Sequence, residues 1–491
     1  MSVNKKVLLV DCPVAPKLLY DDRTKEIMYV KKAIEFYLDF RGGRNMLERK
    51  IKKSYTLGLL TIGAYLKEHG IEVEYISFPF DYGRFEDLLK NKDYALFTAM
   101  TPIYPYVRPL IQKAKEFNPG ITTIFGGYHA TALPAQILVE EPALDYVIVG
   151  EGEKPTLNLI LSSGESDDLP GVISRSNMSK NRFKKFDLLT ADEIPNADYS
   201  LLPGDKFEYR FNIQNTRGCP ERCLYCQNGF FWKKVRTRPI DKIVKELLEI
   251  QSIFQPNFEL HITDNIFTLD RKFLNDFKNA YYDNGVKLNF SCDIKAEYID
   301  EEVVKLMDVI NVKKAWMGFE DSSDLILVDS GRKNSFENNT KALKIIKEHS
   351  DIKVQGYWML GLPGTTAESI QYNIDCIKYL LDEGLLEGIS SDSLFVPLPG
   401  TPMYDMATLY GIKILDNDWL NYHRSQFFPV FETEQLSRTD LRDLLIYFEE
   451  EVITLQLKKY NMSRKDIIAH YESLLSKVLD DESVILEKRI F

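Results

Sequence analysis

Long apolar runs are scarce in this 491-residue chain. The longest stretches, such as LGLLTIGAYL, break within about ten residues, too short to cross a bilayer. A basic excess is also missing: 62 Lys and Arg face 73 Asp and Glu, a formal net charge of −11. That argues against a general nucleic-acid binder, which needs a basic surface. Six cysteines in a chain this long do not make a disulfide scaffold. There is no internal repeat and no low-complexity tract, and a composition 44% hydrophobic and 27% charged is neither disordered nor fibrous. The opening MSVNKKVLLVDCPVAP has two lysines and a short apolar run, which reads as a buried strand rather than a secretory signal. The expectation is a soluble, cytoplasmic protein with neither membrane nor nucleic acid as partner.

What is present points to two or three domains of α/β class, since the chain is too long for one ordinary core. In the first third, apolar runs rich in β-formers (KKVLLVDCP, IEVEYISF, YALFTAM, TTIFGG, YVIVGEGE) alternate with helical stretches (TLGLLTIGAYLKEHG, VRPLIQKAKEFNPG). Such alternation implies parallel pairing in a Rossmann-like, doubly wound sheet. Ligands of such sheets sit at the carboxyl ends of the strands, where Gly126, Gly127, Gly150 and Gly152 fall. An insertion at 21–53 parts the first strand from its helix and ends in the basic run RGGRNMLERKIKK. It reads as a solvated helix face or, alternatively, as a lid over the carboxyl edge. Residues 166–210, rich in Gly, Pro, Ser and Asp, read as a linker. From 211 to 400 the alternation resumes as six βα-type units, enough for a partial parallel barrel with its chemistry at the strand carboxyl ends. Residues 401–491 turn helical, SRTDLRDLL opening with Ser437 or Thr439 as N-cap. The expected domains are therefore 1–165, a linker at 166–210, a (β/α)6 barrel over 211–400 and a helical region over 401–491.

NTRGCPERCLYCQNG places Cys219, Cys223 and Cys226 in a C-x-x-x-C-x-x-C array on the loop after the first barrel strand. Thiolates bind soft metals. A structural zinc site wants four protein ligands, yet no fourth cysteine lies nearby. Cys292 ends a strand, Cys376 lies within a helix and Cys12 follows the first strand; all three read as packed thiols. A zinc or redox-dithiol site remains the alternative. A 4Fe–4S cluster held by three cysteines leaves one iron free for a small molecule.

The array, with Tyr225 before its last cysteine, resembles the signature of radical S-adenosylmethionine enzymes. In that family the free iron takes the amino and carboxylate groups of S-adenosylmethionine, and the fold is a six-unit βα barrel. HITDNIFTLD, WMGFEDSSD, GYWMLGLPGTTAES and LFVPLPGTPMY resemble later strand segments of the same family. The resemblance implies cluster ligation by Cys219, Cys223 and Cys226. It implies S-adenosylmethionine contacts from Tyr225, Asp264 (or Asn265), Glu320, Gln355 and Phe395. TLGLLTIGAYLKEHGIEVEYI, FGGYHATALPAQIL and LDYVIVGEGEKPTLNLI resemble the cobalamin-binding domain that precedes the barrel in one large subfamily. There Leu57, Thr101, Tyr104, Gly126, Gly127, His129, Gly150, Glu151 and Gly152 are the implied contacts. His129 also reads as a loop or core histidine. The D-x-H-x-x-G motif that brings a histidine to cobalt in other cobalamin proteins is absent, so cobalamin is expected without one. The resemblance covers roughly 5–160 and 210–405.

The implied reaction is transfer of a methyl group from S-adenosylmethionine, via methylcobalamin, to an unactivated carbon of a small metabolite or peptide. An electron donor such as flavodoxin or ferredoxin is implied as partner. Radical cyclisation, rearrangement or ring contraction on the same architecture is the alternative. A cobalamin sensor or zinc-stabilised binding protein is the alternative of another class. No protein acid or base is demanded for hydrogen abstraction, and none is named.

Overall fold

A computed structural model describes residues 5–13, 21–41, 53–78, 82–162, 169–179, 186–254, 258–390, 394–424 and 427–478. The first sheet runs β1 (Lys6–Asp11), β2 (Glu72–Ser77), β3 (Tyr94–Thr98), β4 (Thr122–Gly126), β5 (Tyr146–Ile148) and β6 (Val172–Ile173), in the spatial order β2-β1-β3-β4-β5-β6. All neighbours pair in parallel except β5 with β6. β1 is central and its KVLLVD run is buried almost throughout, as parallel strands covered on both faces must be. Asp11 at its carboxyl end accepts hydrogen bonds from Thr56 N (2.6 Å), Thr56 Oγ1 (2.7 Å) and Tyr75 (2.6 Å). That arrangement anchors the start of the helix Leu57–Glu68 at the sheet edge.

Residues 169–179 and 186–210 are not a free connector. β6 extends the first sheet as its antiparallel edge, and Phe186 and Leu189 pack back onto the β5 turn. The short β7 (Asn212–Ile213) then opens the second sheet. The hairpin β8 (Thr216–Arg217) and β9 (Arg236–Thr237) brackets the cysteine loop. β10 (Glu259–Ile262), β11 (Asn289–Ile294), β12 (Val312–Glu320), β13 (Lys353–Trp358) and β14 (Gly388–Ile389) complete a parallel sheet in sequence order, β7 at one edge and β14 at the other. β14 is shorter than ISSDSLFVP suggests; residues 391–393 of that stretch lie outside the described residues.

The barrel strands alternate in burial with a period of two. Leu260, Ile262, Phe290, Cys292, Met317 and Phe319 are buried, and Phe290 meets Phe277 and Tyr281 of the helix Arg271–Asp283. The opposite face carries His261, Asp293, Trp316, Gln355 and Tyr357. Period-two alternation puts these on the concave side.

The insertion contains the helix Asp22–Arg41. It is neither a solvated face nor a loop: Ile27, Val30, Ala33 and Ile34 are buried. Tyr29 packs edge-on against Tyr471, and Tyr37 against Tyr460 and His470. Lys31 and Glu449 make a buried ion pair at 2.5 Å. Its partners are the C-terminal helices Arg438–Lys459, with Ser437 as N-cap, and Arg464–Val478. Most of the basic run, 42–52, lies outside the described residues. Among the described residues no helix is long and apolar enough to cross a membrane.

Candidate functional site

The cysteine loop lies between the two sheets. Gly218 opens it at φ 98°, where a Cβ would stand 2.3 Å from the Lys234 carbonyl; only glycine fits both conditions. Cys219 N donates to Trp232 O (3.0 Å), Cys226 N to Cys223 O (3.0 Å) and Leu224 N to Ser330 O (2.9 Å). Cys219 and Cys223 are buried and Cys226 half-buried. Burial pushes the Cys223 thiol up to about 11 and raises that of Cys219; the nearby Cys226 pushes the same way in both. With Cys226 acting on both Cys219 and Cys223, the three thiols are a soft donor set that loses its protons on binding metal. No three His, Cys, Asp or Glu among the described residues close up around a single ion. A multi-iron cluster spreads its thiolates over separate irons, and the loop fits that demand.

Tyr225 is buried, and its hydroxyl accepts from Arg332 Nη1 (3.3 Å). Arg332 also donates to Glu320 Oε1 (3.0 Å) and to Gly318 O (2.8 Å). Glu320 ends β12 at φ 63°, just after a register shift against β13. A non-glycine residue there costs roughly 1–3 kcal/mol and is sustained where it serves a site. The Glu320 carboxylate reaches Tyr225 of the cysteine loop through Arg332. Arg332 has no motif signal; it reaches the site from a turn beyond the strand, which is why sequence reasoning missed it.

Asp264 and Asn265 separate in role. Asp264 is fully buried, and Oδ1 accepts from Asn215 N (2.6 Å) and Thr216 N (3.0 Å). It therefore holds the backbone leading into the loop, although Oδ2 has no partner. Burial raises its carboxyl to about 6, against those two N–H donors. Asn265 bridges Gly218 O (3.0 Å) and Asn228 (2.6 Å), so it is Asn265 that stands at the loop. Phe395 is fully buried, its ring edge-on to Phe431 at 5.1 Å; that ring is spent in the core. Gln355 lies in the barrel concavity and accepts from Trp316 Nε1 (3.2 Å). Beside it a polar group emerges that no local motif announces. His261 meets Ser291 (3.3 Å), Asp293 (3.8 Å) and the Trp316 ring (5.2 Å). Burial, then the Asp264 charge, raises Asp293 to about 7. The signal available was polar residues at alternate positions of otherwise apolar strands.

At the first sheet's carboxyl edge, Gly127 adopts φ 98° with Thr98 Oγ1 2.5 Å from where a Cβ would stand. At Gly126, by contrast, a Cβ would make ordinary contact with Ile148 at 3.8 Å, and Leu57, at the start of its helix, is half-buried. Thr101, Tyr104 and His129 are buried instead. His129 sits 4.5 Å from the Tyr104 ring and 5.2 Å from Trp419 of the C-terminal region, and Nδ1 lies 3.3 Å from Thr101 Oγ1. Burial drives its pKa down to about 3, so it is neutral. Met100, just before Thr101, is 60% exposed. Gly150 is required by the protein itself, at φ 83° with a Cβ striking the Phe186 ring at 2.3 Å, whereas at Gly152 (φ −84°) a Cβ would meet the movable tip of Ile62 at 2.5 Å.

Glu151 is also committed inside the protein. Its carboxylate takes Arg236 twice (2.7 and 2.8 Å) and Leu189 N (2.9 Å), with Arg217 at 3.4 Å. Arg217 pairs in turn with Glu153 (2.7 Å). These buried charges tie the β5 turn to the hairpin that carries the cysteines. A second link runs from Tyr128 to Asn228 (2.5 Å), Asn265 and Gly218. Both carboxyl edges therefore meet at the cysteine loop.

Comparison with known proteins agrees with this arrangement. Residues 52–160 match the B12 binding domain family, and residues 213–377 match the radical SAM superfamily. An uncharacterised methyltransferase of Pyrococcus horikoshii is 24% identical over 86% of this chain and 92% of its own length. An anaerobic magnesium-protoporphyrin IX monomethyl ester cyclase of Rubrivivax gelatinosus is 24% identical over 79% and 71%. Among solved structures, the radical S-adenosylmethionine methyltransferase TsrM of Kitasatospora setae, with cobalamin and a 4Fe–4S cluster bound, superposes with TM-score 0.65 at 16% identity, over 92% of this chain and 89% of that one. The cobalamin-dependent radical enzyme OxsB superposes with TM-score 0.66 at 16% identity, over 99% and 81%. With a B12-binding domain set edge to edge against a radical SAM domain, the chain is a cobalamin-dependent radical SAM enzyme whose cofactors are a 4Fe–4S cluster, S-adenosylmethionine and cobalamin.

Proposed function

We propose that the enzyme is a C-methyltransferase acting on an unactivated carbon of a small metabolite or peptide. The observation that carries this reading is the meeting of the two carboxyl edges at Cys219–Cys226, bridged by Tyr128, Asn228 and Asn265. A substrate lying there reaches both cofactors. The uncharacterised methyltransferase of Pyrococcus horikoshii, matched over 92% of its length, supports methyl transfer as the first reading. When bound, the cluster with S-adenosylmethionine supplies a carbon-centred radical, and the corrin supplies a methyl group. The protein supplies position and dryness.

In this reading Cys219, Cys223 and Cys226 would hold the 4Fe–4S cluster. Glu320, oriented by Arg332 and strained into place, receives the polar groups of S-adenosylmethionine. Tyr225 closes the site beneath it. Gly126, Gly127, Leu57 and Met100 would hold the corrin, while His129 is buried against Tyr104 and Trp419. The polar concavity of His261, Asp293, Trp316 and Gln355 takes the sugar or substrate hydroxyls. An outside one-electron donor, a flavodoxin or ferredoxin, completes the system.

The relationship to magnesium-protoporphyrin ester cyclases keeps cyclisation as the second reading. Product analysis separates the two after anaerobic reconstitution with iron, sulfide and hydroxocobalamin. Methyl transfer yields S-adenosylhomocysteine alongside 5′-deoxyadenosine; cyclisation yields 5′-deoxyadenosine alone. Cys223→Ala should abolish the cluster absorbance and 5′-deoxyadenosine formation while cobalamin stays bound. A variant that still makes 5′-deoxyadenosine would show that the cluster lies elsewhere.

A further inference from the structure

The concave face of the second sheet is polar where a packed barrel interior would be apolar. Two adjacent rows cross it. In the upper row Asp293 of β11 stands opposite Trp316 of β12, and Trp316 opposite Gln355 of β13. In the lower row His261 of β10 stands opposite Ser291 of β11. Their side chains touch. His261 Nδ1 lies 3.3 Å from Ser291 Oγ, the His261 ring meets the Trp316 ring edge-on at 5.2 Å, and Trp316 Nε1 donates to Gln355 Oε1 (3.2 Å). Glu320 ends the same strand four residues beyond Trp316, roughly 13 Å at the rise of a parallel strand. Both rows therefore lie below the level of Glu320, toward the amino ends of the strands.

Two members of these rows keep polar atoms unmet. Asp293 Oδ2 stands 3.8 Å from His261 Nε2, too long for a hydrogen bond. Burial and the Asp264 charge raise the Asp293 carboxyl to about 7, and neither a hydrogen bond nor a cation opposes them. Lys314, the buried lysine of this face, belongs to the lower row, opposite Ser291. Yet the Asp293 side chain is 39% exposed. β11 lies inside the sheet, between β10 and β12, and its other face, Phe290 and Cys292, is packed. The exposure is therefore to the barrel interior. Gln355 is 8% exposed; Trp316 takes its Oε1, and its Nε2 has no protein partner among the described residues. Asp264, the carboxylate that acts on Asp293, leaves Oδ2 without a partner too. Arg238, whose charge reaches Asp264, is paired with Glu246.

We propose that these rows anchor a protonated amine of the substrate, its ammonium on Asp293 and a neutral oxygen of the same molecule on the Gln355 amide; the proposal rests on the methyltransferase reading above and narrows its substrate class. Three features select an amine. A carboxylate held deep in a protein without a partner is costly, and an ammonium meets it with charge-assisted hydrogen bonds. A hydroxyl satisfies one oxygen and leaves the charge. A carboxylate or phosphate meets Asp293 and Asp264 together, two like charges. The depth below Glu320 sets the amine apart from the carbon that reacts near the cysteine loop, so the contact acts by holding the substrate in position.

The test titrates the reconstituted holoenzyme with n-butylammonium, and with n-butanol as the neutral control, by saturation-transfer NMR. The expected result is that n-butylammonium binds about tenfold or more tightly than n-butanol, and that Asp293→Asn removes this preference. The urea midpoint of the variant reports its fold, and the comparison of the two probes on the native protein stands in either case. Saturating S-adenosylmethionine should leave n-butylammonium bound. Equal binding of the two probes overturns the proposal, as does undiminished n-butylammonium binding by a folded Asp293→Asn. Displacement by S-adenosylmethionine overturns it as well, because the carboxylate then serves that molecule and not the substrate. Absence of 5′-deoxyadenosine from the native holoenzyme with dithionite overturns the radical reading itself, whatever the amine does.

Discussion

The buried charge network at the domain junction can be tested by one substitution, Glu151→Gln. In the native protein the Glu151 carboxylate receives both Arg236 bonds and the Leu189 N–H, and Arg217 stands at 3.4 Å. The Glu151, Arg236 and Arg217 side chains are about 4%, 4% and 11% exposed, so water screens little. The amide keeps one acceptor oxygen but loses the charge and turns an NH2 donor toward the other donors, so Arg236 keeps Leu189 O and at most one bond to position 151, while Arg217 keeps Glu153. Breaking a buried pair from one side costs roughly 3–5 kcal/mol, and the surviving Glu153 contact places this change near the lower end. The double variant Glu151→Met/Arg236→Met removes both charges and should recover most of that loss. Urea unfolding of each variant measures the costs and their coupling. The sign with pH follows from linkage. Burial pushes the Glu151 pKa up, but Arg236, Arg217 and the Leu189 N–H outweigh it and hold it below the usual 4.5. The stabilisation is therefore fully present above pH 4.5 and lost as pH falls through the lower native value. The difference between wild type and Glu151→Gln should shrink in acid. A cost under about 1 kcal/mol, the range of a surface pair, would refute the account.

Gly150→Ala should destabilise by roughly 1–3 kcal/mol, because φ 83° is unfavourable for alanine and Phe186 must retreat from 2.3 Å; an equal urea midpoint would contradict it. Asp293→Asn should change the pH dependence of stability. The native carboxyl is raised to about 7 by burial and Asp264, so ionising it opposes folding as pH climbs from about 4 toward 7. The variant should gain on wild type over that window, modestly, since the side chain keeps 39% exposure. Parallel stability curves would show that Asp293 titrates normally. Tyr128→Phe removes the bond to Asn228 and should cost about 0.5–1.5 kcal/mol. A calorimetric loss near zero would instead assign the residue's value to its ring packing on Trp232, which phenylalanine keeps.

Much of this protein is written locally along its chain. Apolar runs such as KVLLVD and the 3.6-residue spacing of TLGLLTIGAYL determine strand and helix because periodicity is a property of neighbours. Three thiols within eight residues determine a soft-metal loop for the same reason. Tertiary structure decided what depends on partners distant in sequence. It sent Asp264 onto the Asn215 and Thr216 N–H groups and left Asn265 on Gly218 and Asn228, although they are adjacent. It spent Glu151 on Arg236, 85 positions away, and Phe395 on Phe431. It brought Arg332 to Tyr225 and joined the insertion helix to the C-terminal helices through Lys31 and Glu449. A side chain's type limits the chemistry it can do, whereas its partner, solvent exposure and resulting charge state arise only once distant segments exclude water together.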